Sequence, residues 1–174
     1  LSVFRTSPVS AVAVPVESGA VSREASLLTE LGILTDYSPS SAVTKQMLVD
    51  SLKTVIGDGA HRYFDKAAWT EVLTWDELIP ILVDLSGYTP RTIRYEGSPD
   101  RFSRIAREVG ILDGADPAGQ LTMQAYAAAL YHALTIDMLQ AVSFGEEVQY
   151  TVKEGETALS VYQNIYRVQG VLRD

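Results

Sequence analysis

The chain contains no cysteine. That excludes disulfides, thiolate metal sites and cysteine nucleophiles, and leaves the redox compartment open. It has only two histidines and two tryptophans in 174 residues. No apolar run approaches the roughly 18 residues a membrane helix needs. The early run AVAVPV is short, contains Pro15 and lacks a basic flank, so it reads poorly as a signal peptide. Positive charge is also scarce. Fourteen Lys and Arg stand against 22 Asp and Glu, a net charge of −8. Such a surface repels phosphate backbones and argues against a nucleic-acid partner. There is no G-x-S-x-G, no H-E-x-x-H and no Gly-rich phosphate loop. Carboxylates are plentiful but fall in no recognisable active-site setting, so an enzyme is not expected. No cofactor is expected either.

What remains is a globular composition, 47% hydrophobic and 21% charged, in a chain long enough for one domain with a real core. It says nearly the same thing twice. ELGILTDYSPSSAVTKQMLVDSL at 30–52 aligns without a gap with EVGILDGADPAGQLTMQAYAAAL at 108–130. Glu30, Gly32, Ile33, Leu34, Pro39, Thr44, Gln46 and Leu52 recur 78 positions later. The pattern predicts a helix ending at a left-handed glycine, an apolar pair turned inward, a polar loop, and a threonine capping the next helix.

Apolar residues then return with helical period after Thr44 and Thr122. Thr74 behaves alike, preceding Leu78, Leu82 and Leu85, and Glu77 at its third position completes a capping box. Pro80, six residues in, is expected to weaken or kink that helix. The unit is therefore helix–loop–helix, with HRYFDKAAW (61–69) standing for a compressed first helix in the middle copy. One such unit cannot bury its own apolar face, whereas three together can.

These residues resemble the S-layer homology family. Phe64, Asp65 and Trp69 look like the F-x-D-x-x-x-x-W opening of one repeat. Gly32-Ile33 and Gly110-Ile111 look like the G-I that ends the first helix. Thr44, Thr74 and Thr122 occupy the threonine of the T-R-A-E that starts the second. The stretch LVDLSGYTPRTIRYEGSPDRFSRIAREVGIL (82–112) is similar to one common in such repeats from gut-type Gram-positive bacteria. The 133–174 tail is similar to the linker and strands that come after the repeats in those proteins.

The resemblance implies a mainly α fold of three repeats, at about 23–56, 57–88 and 99–136, forming a pseudo-threefold bundle over 23–140. It also implies an exported protein at the cell surface or cell wall. Grooves between repeats would bind secondary cell-wall polysaccharide through the arginine and glutamate of T-R-A-E. Here those positions hold Lys45, Trp75 and Met123, and Met47, Glu77 and Ala125.

The polysaccharide-binding candidates are Thr44, Lys45, Trp75, Glu77, Thr122 and Gln124. Each has a structural alternative. Lys45 also reads as a solvated first-turn lysine, Glu77 as a capping residue, and Trp75 as either a sugar-stacking face or a core anchor. His61 and His132 give no metal site, and Asp113 and Asp116 read as a turn. The loss of the T-R-A-E charges favours a non-catalytic structural role over glycan anchoring. Copies of the chain, or other surface-layer or filament subunits, are then the expected partners.

The ends differ from the body. Residues 1–22 read as an extended arm, with Val12, Val14 and Val16 alternating. Residues 141–174 read as a linker followed by strands at 149–152 and 161–172, joined by a turn at 154–157. Such a pair would lean on another domain or subunit.

Overall fold

The computed structural model describes residues 21–145 and 147–165, and is mainly helical with a two-stranded antiparallel sheet near the C-terminus. The helices are α1 (Arg23–Glu30), α2 (Lys45–Ile56), α3 (Trp75–Leu85), α4 (Arg101–Glu108), α5 (Met123–Thr135) and α6 (Ala158–Gln163). Strands β1 (Leu139–Phe144) and β2 (Glu147–Val152) lie between α5 and α6. Short 3-10 turns at Gly57–Arg62 and Lys66–Ala68 stand where the sequence predicts a compressed helix in the middle copy.

The two similar segments have the same local structure. Gly32 (φ 69°) and Gly110 (φ 86°) follow α1 and α4 in the left-handed region, where only glycine sits without strain. The Ile33 N–H then reaches back to the Leu28 carbonyl (2.9 Å), and the Ile111 N–H to that of Ala106 (2.8 Å). These bonds satisfy helix-end carbonyls and turn Ile33, Leu34, Ile111 and Leu112 into the core. Thr44 and Thr122 cap α2 and α5 by accepting from the Met47 and Ala125 N–H groups, each at 3.3 Å.

The predicted apolar stripes lie inside. Leu48, Leu52 and Val55 of α2, Leu78, Leu82 and Leu85 of α3, and Tyr126, Leu130 and Leu134 of α5 are all buried. Helix α5 packs against α1, α3 and α6. Its alanines at 127, 129 and 133 are buried too, and their small side chains permit close approach. Helix α3 runs unbroken through Pro80. The carbonyl that loses its partner belongs to exposed Asp76, where water can replace the bond.

The C-terminal region departs from expectation. Residues 149–152 are in a strand, but the partner strand is β1, paired from Leu139↔Val152 to Phe144↔Glu147. Residues 161–163 belong to α6, capped by Thr157 and burying Ala158, Leu159 and Ser160. The valine and tyrosine there suggest a strand, yet the local cap and the buried face on α2 and α5 decide for helix. Residues 166–172 of that expected strand lie outside the described residues. So does the arm at 1–22, save for Val21 and Ser22, and Ser22 caps α1.

Candidate functional site

The start of α2 rests on the loop that precedes α3. The Lys45 N–H donates to the Glu71 carbonyl (3.0 Å) and the Gln46 N–H to that of Trp69 (2.9 Å). The Leu73 N–H returns a bond to the Val43 carbonyl (2.8 Å). This docking carries the Lys45 side chain inward, to 9% exposure. Its Nζ lies 2.6 Å from Glu71 Oε2 and 2.7 Å from Glu77 Oε1, and 5.2 Å from the centre of the Phe64 ring. A cation in a first helical turn is opposed by the helix dipole. Two carboxylates and an aromatic face offset that here.

Glu77 serves two roles at once. It accepts from the Thr74 N–H (3.1 Å) and the Thr74 hydroxyl (2.9 Å), closing the N-terminus of α3, while its other oxygen meets Lys45. Hydrogen bonds from Glu71 and then Glu77 hold the Lys45 ammonium above its usual pKa. Desolvation pushes the Glu77 carboxyl upward, but the Lys45 and Thr74 bonds outweigh it and hold that group below its usual value.

Lys45 and Glu77 are therefore brought together, the lysine from the first helix start and the glutamate from the second. Thr122 and Gln124 lie at a different contact. There the Met123 and Gln124 N–H groups donate to the carbonyls of Ser41 (2.9 Å) and Pro39 (3.0 Å), and the Gln124 side chain is exposed. Trp75 is only 5% exposed, so it packs as an anchor rather than offering an open face. Its indole N–H is buried, with no hydrogen-bond partner among the described residues. Trp75 lines a cleft of about 280 Å³ with Thr74, Asp76, Pro117, Gly119 and Gln120.

A second cavity, of about 240 Å³, lies between the 32–36 loop, α2 and α5. Asp36, Asp50, Ser51 and Tyr126 contribute to its wall. The Tyr126 hydroxyl is fully buried beside Ser51, and desolvation raises its pKa. Asp116 accepts from the Ala118 N–H (3.1 Å), a turn contact. His61 stacks on Trp69 with ring centres 5.5 Å apart.

Sequence reasoning missed Glu71 and the Tyr126 cavity. Glu71 stands three residues before a cap, outside any helical period, and its role depends on a partner 26 positions away. The cluster is a closed set of charges. It can clamp two loops together, but its only cation is already matched. Among the described residues, no group of three or more His, Cys, Asp or Glu is placed to hold a metal ion. In comparisons with protein-family models, curated proteins and solved structures, nothing matches the chain.

Proposed function

We propose that the chain is a non-catalytic structural module outside the cell, built from three S-layer-homology-like repeats arranged around a pseudo-threefold axis. It would self-assemble or scaffold other subunits in a surface layer, an extracellular filament or a phage particle. The observation that carries this reading is the fate of Lys45. The one cation at the family's arginine position is buried between Glu71 and Glu77. A glycan carboxylate would have to displace two internal partners to reach it. Burial of Trp75 likewise removes the aromatic face that could stack on a sugar ring.

The repeat arrangement is supported by the equivalent glycine-ended turns after α1 and α4 and by the threonine starts of α2, α3 and α5. Anchoring to secondary cell-wall polysaccharide is the rival reading. It is favoured by one feature: Glu71 is 60% exposed, so the outer partner of Lys45 could swing away.

The deciding experiment is co-sedimentation with peptidoglycan sacculi, before and after their secondary polysaccharide is stripped, beside light scattering of the free chain. A structural module should fail to pellet and should form large particles. Pelleting that requires the polysaccharide and is abolished by Lys45→Ala would overturn the structural reading in favour of anchoring.

A further inference from the structure

The two edges of the hairpin differ. Leu139, at the start of β1, turns its N–H to the Ser86 carbonyl (3.3 Å), and its own carbonyl lies against Gly87. A strand added to β1 would meet the body there. On β2, the Lys153 N–H donates to the Met138 carbonyl (3.0 Å), continuing the ladder that starts at Leu139↔Val152. Bonding alternates along an antiparallel strand, so the backbone groups of Thr151, Gln149 and Glu147 also face β1. Those of Val148, Tyr150 and Val152 face outward. Among the described residues, none of these outward groups has a backbone partner. All three residues are exposed, so water meets the groups in the single chain and the edge stands open.

Sheet edges are ordinarily guarded by charge, proline or a bulge. Residues 148–152, VQYTV, have no charge and no proline, and their register with β1 is unbroken. Val148, Tyr150 and Val152 also share one face of the strand, because side chains alternate. An exposed apolar row therefore lies along an open edge.

The ends of the strand specify what fits it. Glu147 and Lys153 flank the uncharged run with opposite signs. Among the described residues, neither has an ion-pair partner. If β2 meets the β2 of a second copy antiparallel about Tyr150, Glu147 stands opposite Lys153 at both ends. Val148 then faces Val152, Gln149 faces Thr151, and Tyr150 faces its own counterpart. The outward groups at 148, 150 and 152 come into register as bonded pairs. Glu147 and Lys153 fall in a non-bonded pair, where side chains approach most closely. A parallel in-register pairing would set like charge against like. An antiparallel slip of two residues would lose both ion pairs.

We propose that β2 is a self-recognition edge, through which two copies pair antiparallel about Tyr150 and join their hairpins into one four-stranded sheet. The inference rests on the structural reading above and names a second copy of the chain as the partner. A two-fold contact closes on itself, so it gives a dimer and supplies one of the contacts a larger assembly needs. Residues 147–153 form a small patch beside the roughly 20–30 residues a side of a standard interface, so a micromolar or weaker contact is expected.

Because the chain has no cysteine, single introduced cysteines report the register. The test is oxidative cross-linking of full chains at about 100 μM, above a micromolar dissociation constant. Tyr150→Cys should form a disulfide-linked dimer at least about tenfold faster than Val148→Cys or Val152→Cys, whose counterparts would stand about 14 Å apart. A mixture of the Val148→Cys and Val152→Cys chains should link comparably to Tyr150→Cys. Adding Lys153→Glu to Tyr150→Cys should slow the reaction, and adding Glu147→Lys as well should restore it. That restoration is also the folding control, since a chain that regains the cross-link has kept its hairpin. Equal rates for the three single cysteines, or a rate indifferent to both charge reversals, would overturn the proposal. Large particles in light scattering without the Tyr150→Cys cross-link would overturn it and leave the structural reading standing. Absence of both would count against both.

Discussion

The helical body and the hairpin are secured by opposite means. The body is held by side chains. Leu48, Leu52, Leu78, Leu82 and Leu130 lose all contact with solvent, and α5 is surrounded by α1, α3 and α6. The hairpin is held mostly by backbone. Every residue of β2 is exposed, including Val148, Tyr150 and Val152. Its moorings are bonds at its base. The Leu139 N–H meets the Ser86 carbonyl (3.3 Å), the Met138 N–H meets that of Glu156 (2.7 Å), and the Tyr88 hydroxyl meets that of Asp137 (2.8 Å). A two-stranded hairpin is marginal alone. The hairpin therefore depends on the body far more than the body depends on the hairpin.

The largest expected effect breaks the body. Leu130→Ala should cost about 2–5 kcal/mol, because a fully buried leucine leaves a cavity among packed helices. Urea unfolding followed by circular dichroism would read this, and hairpin and helices should be lost together. Next comes the joint between the regions. Gly87 has φ 81°, and an added Cβ would lie 2.2 Å from the Leu139 carbonyl oxygen. Gly87→Ala should cost roughly 2–4 kcal/mol through strain and displaced backbone. Hydrogen exchange should accelerate in β1 and β2 more than in α2. Equal acceleration throughout would contradict the asymmetry.

A smaller effect belongs to the body alone. The folded-state pKa of Glu77 is depressed, so its contribution is present above the unfolded value near 4.5 and is lost as pH falls through the folded value. The melting midpoint of the native chain should therefore fall on acidification below about pH 4.5 more steeply than that of Glu77→Gln. The Lys45 shift has the opposite sign, and its contribution persists below 10.5 and is lost only as pH rises through the raised value. The smallest effect is confined to the hairpin. Tyr150→Thr removes an exposed side chain opposite Ala141 and should change stability by only about 0.2–1 kcal/mol in the same urea assay.

The sequence was most legible where structure is local. A capping threonine and a left-handed glycine act within a turn or two, so the starts of α2, α3 and α5 and the ends of α1 and α4 could be read from residue type and spacing. The buried stripes followed from helical period. The partner of β2 was not legible, because LQAVSF at 139–144 carries no stronger strand pattern than the 161–172 segment. What separates them is the Thr157 cap and the buried face of α6, a contact made far along the chain. The Lys45 cluster was half legible. Lys45 and Glu77 stood out as positions, but nothing in their spacing shows that they meet, or that Glu71 joins them. The cleft beside Trp75 was not legible at all, since its walls, at 72–76 and 117–121, come from segments far apart in the sequence.

The Gln163 side chain reaches back 108 positions to the Val55 carbonyl at 2.6 Å, and α6 rests on α2 and α5. During synthesis, α2 leaves the ribosome long before the residues that cover it. The surface that will receive α6 must wait, exposed, while more than half the chain is made. Long-range closure of this kind slows folding and leaves apolar surface open to the wrong partners. A chain halted before residue 158 would thus leave that surface open to chaperone capture, and in the full chain α6 can dock only once residues 158–163 have emerged.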